Sequence, residues 1–193
     1  DGIIKTNKLL NIQPLRELRY FRKTSDQLQI GSLATYSDIV ESALTRKHAW
    51  VLVDAARQIG AIQLQNTATI GGNLGNASPA GDSLPPLYAL NATVVTRSKS
   101  ARREIPIENF FVGYRKIGLR PDELIEEVHF DALKDTDSGS YVKLGLREAN
   151  AISIVDVAVV LRGRTSDGRF SDTRIALGAV APTIRRARKC ELA

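Results

Sequence analysis

The sequence predicts an α+β protein in which short helices accompany antiparallel sheet. Three observations carry that reading. Strand-like runs rich in β-branched residues are joined by short polar turns, as in Thr93–Thr96 with Glu104–Ile107 and Ile152–Leu161 with Thr173–Val180. Leu52, Ala55, Ala56 and Ile59 recur at three- and four-residue steps, the spacing of a helix face. The alternating βαβ order of a parallel sheet is missing.

Taken in order, Leu28 to Leu33 is a short strand broken by Gly31. Thr35 or Ser37 then caps a helix through Ile39, Val40, Ala43 and Leu44. A second helix runs from Ala49 to Ile59, and Gly60 supplies its stop. A glycine-rich stretch follows, after which Asp82 or Ser83 caps a short helix that tolerates Pro85 and Pro86 in its first turn. Thr93 to Thr96, a polar hairpin at Ser98–Arg102 and Glu104 to Ile107 form an antiparallel pair. Pro106 or Glu108 opens a helical turn through Phe110 and Phe111, and Leu124 to Phe130 is another strand. Asp131 to Ser140 reads as a polar linker. Beyond it come strands at Tyr141–Arg147 and Ile152–Leu161, a turn at Asp167-Gly168, a strand at Thr173–Val180 and a basic helix beginning at Ala181-Pro182-Thr183.

Composition excludes several classes. The 193 residues are 43% hydrophobic and 25% charged, ordinary for a globular protein, and can bury an adequate core. No apolar run reaches the length of a membrane-spanning helix, and Asp1-Gly2-Ile3-Ile4-Lys5 lacks the basic-then-apolar order of a leader. A single cysteine, Cys190, allows neither an internal disulfide nor a cysteine-held iron–sulfur cluster, and the expected setting is a reducing cytoplasm. The net charge of +6 raises nucleic-acid binding, with Arg185–Lys189 and Lys99–Arg103 as the densest basic runs. Aromatic residues do not interleave with them, so a solvated helix face and an exposed hairpin explain both better. His48 and His129 have no acidic or cysteine neighbours at metal spacing, no nucleophile–base pair is visible, and Glu126, Glu127 and His129 read as one solvated strand face. Neither a catalytic nor a metal-binding residue is therefore assigned.

The stretch from Thr69 to Pro86, TIGGNLGNASPAGDSLPP, is the most informative part of the chain. It reads as one long loop between a strand-like run and a short helix. Adjacent glycines at 71 and 72 permit close backbone approach, so successive N–H groups can converge on an anion. Asn73, Asn76, Ser78 and Asp82 place hydrogen-bonding groups within reach of a phosphate or polyol. A plain surface turn is the bland alternative, but a loop this long with polar groups so spaced is more often functional. The glycines at 71, 72 and 75 do not match G-x-G-x-x-G, which excludes the usual dinucleotide fold.

This stretch resembles the second flavin-binding segment of the FAD-binding subunit of molybdenum hydroxylases, the family of xanthine dehydrogenases and carbon monoxide dehydrogenase medium subunits. Thr69 to Asn73, Ala77 to Pro79, Asp82 to Leu84 and Pro85 to Asn91 match its pattern in order and spacing. The resemblance implies an FAD-binding domain of the molybdopterin dehydrogenase, vanillyl-alcohol-oxidase-like type over residues 1–131, then a smaller antiparallel sheet-and-helix domain over 140–193. Relative to that family the chain reads as truncated at both ends, without the first flavin loop. The cysteine-rich cluster insertion of the 4-hydroxybenzoyl-CoA reductase branch is missing.

The resemblance further implies FAD on this chain, with molybdopterin on a large partner subunit and [2Fe-2S] clusters on a small one. The pyrophosphate is expected against the backbone of Ile70, Gly71, Gly72 and Asn73, helped by Thr69. Asn73 and Asn76 would bond phosphate or ribityl oxygens. Asp82 would accept from ribityl hydroxyls or, as an ordinary alternative, cap the helix after it. Ile59 and Leu119 align with the apolar residues that sandwich adenine, although each is also a plausible core residue. A lysine near the flavin of animal xanthine dehydrogenases finds no counterpart in Asn150–Ile154, which leaves NAD, ferredoxin, quinone and oxygen all open as electron acceptors. The competing readings are a free-standing FAD oxidoreductase of related fold and a basic nucleic-acid-binding module.

Overall fold

A computed structural model describes residues 9–192; residue 193 and residues 1–8, where the leader reading falls, lie outside the described residues. After a single 3-10 turn at Arg16–Leu18, β1 (Phe21–Lys23) and β2 (Gln27–Gly31) form a hairpin. Four helices follow: α1 (Tyr36–Glu41), α2 (Ala43–His48), α3 (Trp50–Arg57) and α4 (Ile62–Gln65). The glycine-rich stretch holds α5 (Ile70–Asn76) and α6 (Leu84–Ala89). Next come β3 (Thr93–Arg97), β4 (Arg102–Pro106), α7 (Ile107–Phe110), β5 (Phe111–Gly113), β6 (Lys116–Ile117) and β7 (Leu124–Asp131). The chain continues through β8 (Ser138–Gly145), β9 (Ser153–Arg164), β10 (Phe170–Gly178), β11 (Arg185–Arg186) and α8 (Arg188–Glu191).

Two antiparallel sheets result, ordered β1-β2-β7-β3-β4 and β11-β10-β9-β8, with β5 and β6 as a small separate ribbon. One hydrophobic core runs through both. It joins Leu28, Ile30, Val128 and Phe130 of the first sheet to Ala158, Val160 and Ala176 of the second through the helices between them. Helix α6 is buried over its whole length and packs against β9 and β10. Leu84 and Leu87 alone contribute roughly 1.5–3 kcal/mol each by leaving water. Helix α3 packs on β8, where the Trp50 indole donates to the Gly139 carbonyl at 3.2 Å.

Several elements differ from their expected form. Thr35 does cap α1, in a reciprocal capping box with Asp38, but the helix breaks at Ser42, whose backbone is extended. The linker is shorter than 131–140, because β7 keeps Asp131 and β8 begins at Ser138. The expected basic helix after Pro182 is mostly not one. Arg185 and Arg186 instead pair with Leu177 and Ala176 as a strand, and only Arg188–Glu191 is helical. The decisive term is Arg186, nearly buried between Glu191 at 2.6 Å and Glu108 at 3.1 Å.

The other face of the second sheet is apolar. Val142 pairs with Val157 and Leu144 with Val155, while Ile175 and Leu177 continue the face on β10. Among the described residues nothing covers Val142 or Leu144, which are 62% and 57% exposed.

Gly178 marks where the two sequence halves close on each other. A Cβ there would collide with the Asp156 carboxylate and lie 2.8 Å from Pro85. Gly178→Ala should cost about 3 kcal/mol in urea unfolding, as overpacking does. Gly168→Ala, where φ is +84° but no atom lies within 4 Å, should cost only about 1 kcal/mol.

Candidate functional site

The stretch read as one loop contains a helix. Thr69 is the N-cap of α5, its hydroxyl accepting from the Gly72 N–H at 3.0 Å. The Ile70 and Gly71 N–H groups reach back to the carbonyls of Ala34 (3.1 Å) and Ser32 (2.9 Å), and the Asn73 N–H donates to the Thr69 carbonyl at 3.0 Å. All four N–H groups expected to converge on an anion are thus satisfied within the chain. Ala77, in the left-handed region at φ 50°, ends the helix.

The helical period sorts the polar residues instead. Ile70, Gly71, Leu74 and Ala77 are buried, whereas Thr69, Gly72, Asn73 and Asn76 share the outer face. The two adjacent glycines have different jobs. A Cβ on Gly71 would strike Ser32 backbone and side chain at 2.7 Å, so Gly71 is required for the close packing of α5 on the turn that follows β2. Gly72 is exposed, and its Cβ would meet only the Thr69 hydroxyl at 3.0 Å, so it keeps the outer face open.

That face borders a cleft of about 360 Å³, lined among others by Ser32, Thr69, Gly72, Leu119 and Ile125. The structure therefore brings Leu119 to the same cleft as Thr69 and Gly72, while Ile59 packs on the core and does not line the cleft. The Ser32 hydroxyl is buried and has no hydrogen-bond partner. An unsatisfied donor beside an apolar wall suits a ligand that carries both polar oxygens and a flat ring. The cleft is large enough for one portion of a dinucleotide. By this test the residues present fit FAD.

Asn73 and Asn76 differ in what they have to spare. The Asn73 side-chain carbonyl already accepts from Ser83 at 3.1 Å, and that of Asn76 is met by Arg115 at 3.4 Å. Their amide N–H groups remain the donors that a ligand would meet.

Asp82 is not a helix cap. It points across to the second sheet, where its Oδ2 accepts from Lys143 at 2.6 Å. Its Oδ1 accepts from Ser153 at 2.6 Å and from Tyr141 at 3.3 Å. Lys143 also donates to the Gln58 carbonyl at 3.0 Å and lies against a second cavity of about 430 Å³ edged by residues 144–151. A lysine therefore does stand on the loop aspartate. It was missed because it lies on β8, ahead of Asn150–Ile154. Register alternation, with Tyr141 and Lys143 on one face of β8, was the signal that could have found it.

Asp156 completes this cluster, with its Oδ2 accepting from Tyr141 at 2.8 Å. Burial pushes its carboxyl up to about 6, reinforced by Asp82 and opposed by Tyr141 and Lys143. Burial likewise raises the Tyr141 phenol far above its ordinary range.

Two other readings change. Glu127 and His129 are buried, not a solvated face: Tyr20 and Arg102 both bond Glu127, and His129, Tyr20 and Arg102 hold it below the ordinary carboxylate range. His48, half-buried, meets the Leu133 carbonyl at 2.9 Å. Among the described residues no cluster of three or more His, Cys, Asp or Glu could hold a metal. None of the described helices is long and apolar enough to cross a membrane.

Residues 1–131 match the family model described as FAD binding domain in molybdopterin dehydrogenase, and residues 140–193 match the carbon monoxide dehydrogenase flavoprotein C-terminal domain. The chain belongs to this flavoprotein family. It is 34% identical over 185 residues to the xanthine dehydrogenase FAD-binding subunit of Escherichia coli O157:H7, covering 95% of this chain and 63% of that one. It is 35% identical over 154 residues to the nicotinate dehydrogenase FAD-subunit of Eubacterium barkeri, covering 78% of this chain and 52% of that one. Among solved structures, carbon monoxide dehydrogenase from Hydrogenophaga pseudoflava, in a form lacking the Mo-pyranopterin moiety of its molybdenum cofactor, superposes with a TM-score of 0.86. That match has 31% identity and covers 91% of this chain and 60% of the other. The chain thus spans about three fifths of the length of such relatives, and as a member of the family it carries the FAD-binding domain.

The raised Asp156 carboxyl gives a signed stability prediction. The folded state binds this proton more tightly than the unfolded chain, whose aspartate has the ordinary value of 3.8. The contribution is therefore complete below that value and is lost as pH rises through about 6. It amounts to about 3 kcal/mol. Relative to Asp156→Asn, the native chain should lose that much stability between pH 4 and pH 7 in urea titrations.

Proposed function

We propose that this chain is the FAD-binding electron-transfer subunit of a cytoplasmic molybdenum hydroxylase complex. A large molybdopterin subunit and a small [2Fe-2S] subunit would be its partners, and NAD, ferredoxin, a quinone or oxygen the final acceptor. The observation that carries this is the outer face of Thr69, Gly72, Asn73 and Asn76 beside a cleft lined by Leu119 and by Ser32, whose buried hydroxyl has no partner, in a chain of that flavoprotein family.

FAD, when bound, supplies the redox chemistry of collecting single electrons and releasing a pair, and needs no acid–base side chain for it. The residues of this chain bind and orient. Thr69, Ser32 and the amides of Asn73 and Asn76 would bond phosphate and ribityl oxygens, in place of the backbone N–H groups that the fold has already used. Leu119 would pack against the adenine, and Asp82 would accept from a ribityl hydroxyl at its remaining lone pairs. The basic-module alternative loses support because four arginines of its two basic runs are held against acids of the fold. Arg102 and Arg103 bond Glu104, Glu123, Glu126 and Glu127, while Arg186 and Arg188 bond Glu108 and Glu191.

The flavin should be held non-covalently, since neither His nor Cys lies in the 69–83 segment. Acid precipitation of the native protein should leave all yellow colour in the supernatant; colour on the pellet refutes this. Gly72→Val should reduce bound FAD at least about tenfold with unchanged circular dichroism. The helix accepts valine, but its side chain fills the open face. Full flavin occupancy in that folded variant would show that the face is not the site.

Native material at high salt should co-elute in size exclusion with one much larger and one cysteine-rich polypeptide, because a permanent interface draws its affinity from apolar burial. Elution alone, flavin-loaded and active on its own small-molecule donor, would favour the free-standing oxidoreductase.

A further inference from the structure

Two carboxylates and one ammonium group meet where the halves of the chain touch, and their protons do not suffice for their contacts. The Tyr141 hydroxyl lies 3.3 Å from Asp82 Oδ1 and 2.8 Å from Asp156 Oδ2. The Ser153 hydroxyl lies 2.6 Å from the same Asp82 oxygen and 3.5 Å from the same Asp156 oxygen. Four oxygen–oxygen contacts are thus served by two hydroxyl protons. Lys143 is bonded to Asp82 and to the Gln58 carbonyl, not to Asp156. Asp156 is 1% exposed, and its Oδ1, facing Gly178, has no partner. A buried carboxylate so placed carries uncompensated charge, and a proton removes it.

The surroundings leave few other sources of that compensation. β8 presents Tyr141 and Lys143 to Asp156, the segment before α6 presents Asp82, and β10 and α6 present the uncharged Gly178 and Pro85. The charged residues of α3, the half-buried Asp54 and the exposed Arg57, pair with each other at 3.8 Å.

We propose that Asp156 is a positioning residue that shares one proton with Asp82 through the Tyr141 hydroxyl, and that its loss frees an Asp82 oxygen for the polyol chain of a flavin. With the proton present, Asp156 donates to Tyr141 and Tyr141 donates to Asp82. Asp82 Oδ1 then holds two internal donors, Tyr141 and Ser153. With the proton gone, Tyr141 turns its hydrogen to Asp156, and Asp82 Oδ1 keeps only Ser153. One lone pair becomes available to a ligand hydroxyl. The inference rests on the FAD reading above for the identity of that ligand, but not for the proton itself.

The experiment uses the purified chain, carboxyl-13C-labelled at aspartate, titrated from pH 4 to 8, together with FAD affinity over the same range. Asp156, assigned by its loss in Asp156→Asn, should titrate with a midpoint near 6. Asp82→Asn should lower that midpoint, by removing a like charge and releasing Lys143. FAD affinity of the native chain should rise about three- to tenfold as pH passes through it, the worth of one hydrogen bond. Asp156→Asn, which cannot titrate, should bind flatly with pH. Tyr141→Phe should also be flat. An Asp156 midpoint in the ordinary aspartate range, or one indifferent to Asp82→Asn, overturns the shared proton. A midpoint near 6 with FAD affinity flat in the native chain overturns its effect on Asp82. Absence of FAD binding at every pH in a folded chain overturns the FAD reading and the ligand step with it. The carboxyl titration then still decides the shared proton.

Discussion

The contact between Lys143 and Asp82 constrains the rest of the molecule. Both side chains are more than nine-tenths buried, and they come from opposite halves of the chain. Removing two charges from water costs several kcal/mol, which their attraction offsets only when the remaining lone pairs and protons are also satisfied. That requirement explains the hydroxyls of Tyr141 and Ser153, the Gln58 carbonyl at the end of α3 and the bare backbone of Gly178. It also fixes the register of β8 on β9, since a slip of one residue would turn Tyr141 and Lys143 outward together. The sheet of the second half is therefore docked by chemistry as well as by the apolar packing of α6.

Helix α5 depends on the same economy of backbone groups. Glycine and asparagine make up five of its seven residues, a composition with low helix propensity. The helix exists because its first N–H groups are taken by the Thr69 hydroxyl and by the carbonyls of Ser32 and Ala34, a tertiary arrangement (Thr35 and Thr69 form an isolated bridge). What remains on the outside is a row of small polar side chains one turn apart.

This is also where the sequence was least legible. The segment was recognisable as a ligand-binding stretch from residue order alone, but its low propensity disguised the helix, so a nest of backbone N–H groups was expected where side chains do the facing. Strands such as β3, β7 and β9 were readable because β-branched residues and turn signals are local. Residues whose state is set by distant partners were not: Arg186 by Glu108 and Glu191, Glu127 by Tyr20 and Arg102, Asp82 by three residues more than fifty positions away. Leu119 reached the cleft because its segment follows the β5–β6 ribbon back toward α5, whereas Ile59 was turned inward by α3.

Charge pairing also changes what the net charge of +6 means. Much of the arginine content is held against acids in the fold. Arg103 makes a two-pronged bond to Glu123 at 2.6 and 2.7 Å and brings that carboxyl down to about 2. Such arginines are spent on structure and contribute little to a field that could gather nucleic acid or steer a partner. The apolar face of Val142, Leu144, Val155 and Val157 lies on the reverse of the strands that carry Lys143 and Asp156. β8 and β9 alternate between an inner face, where Lys143 and Asp156 sit beside the core residues Ala158 and Val160, and an outer face of exposed or half-exposed apolar residues. The polar network and the outer apolar surface therefore share the same backbone ladder, and the register that buries the one exposes the other.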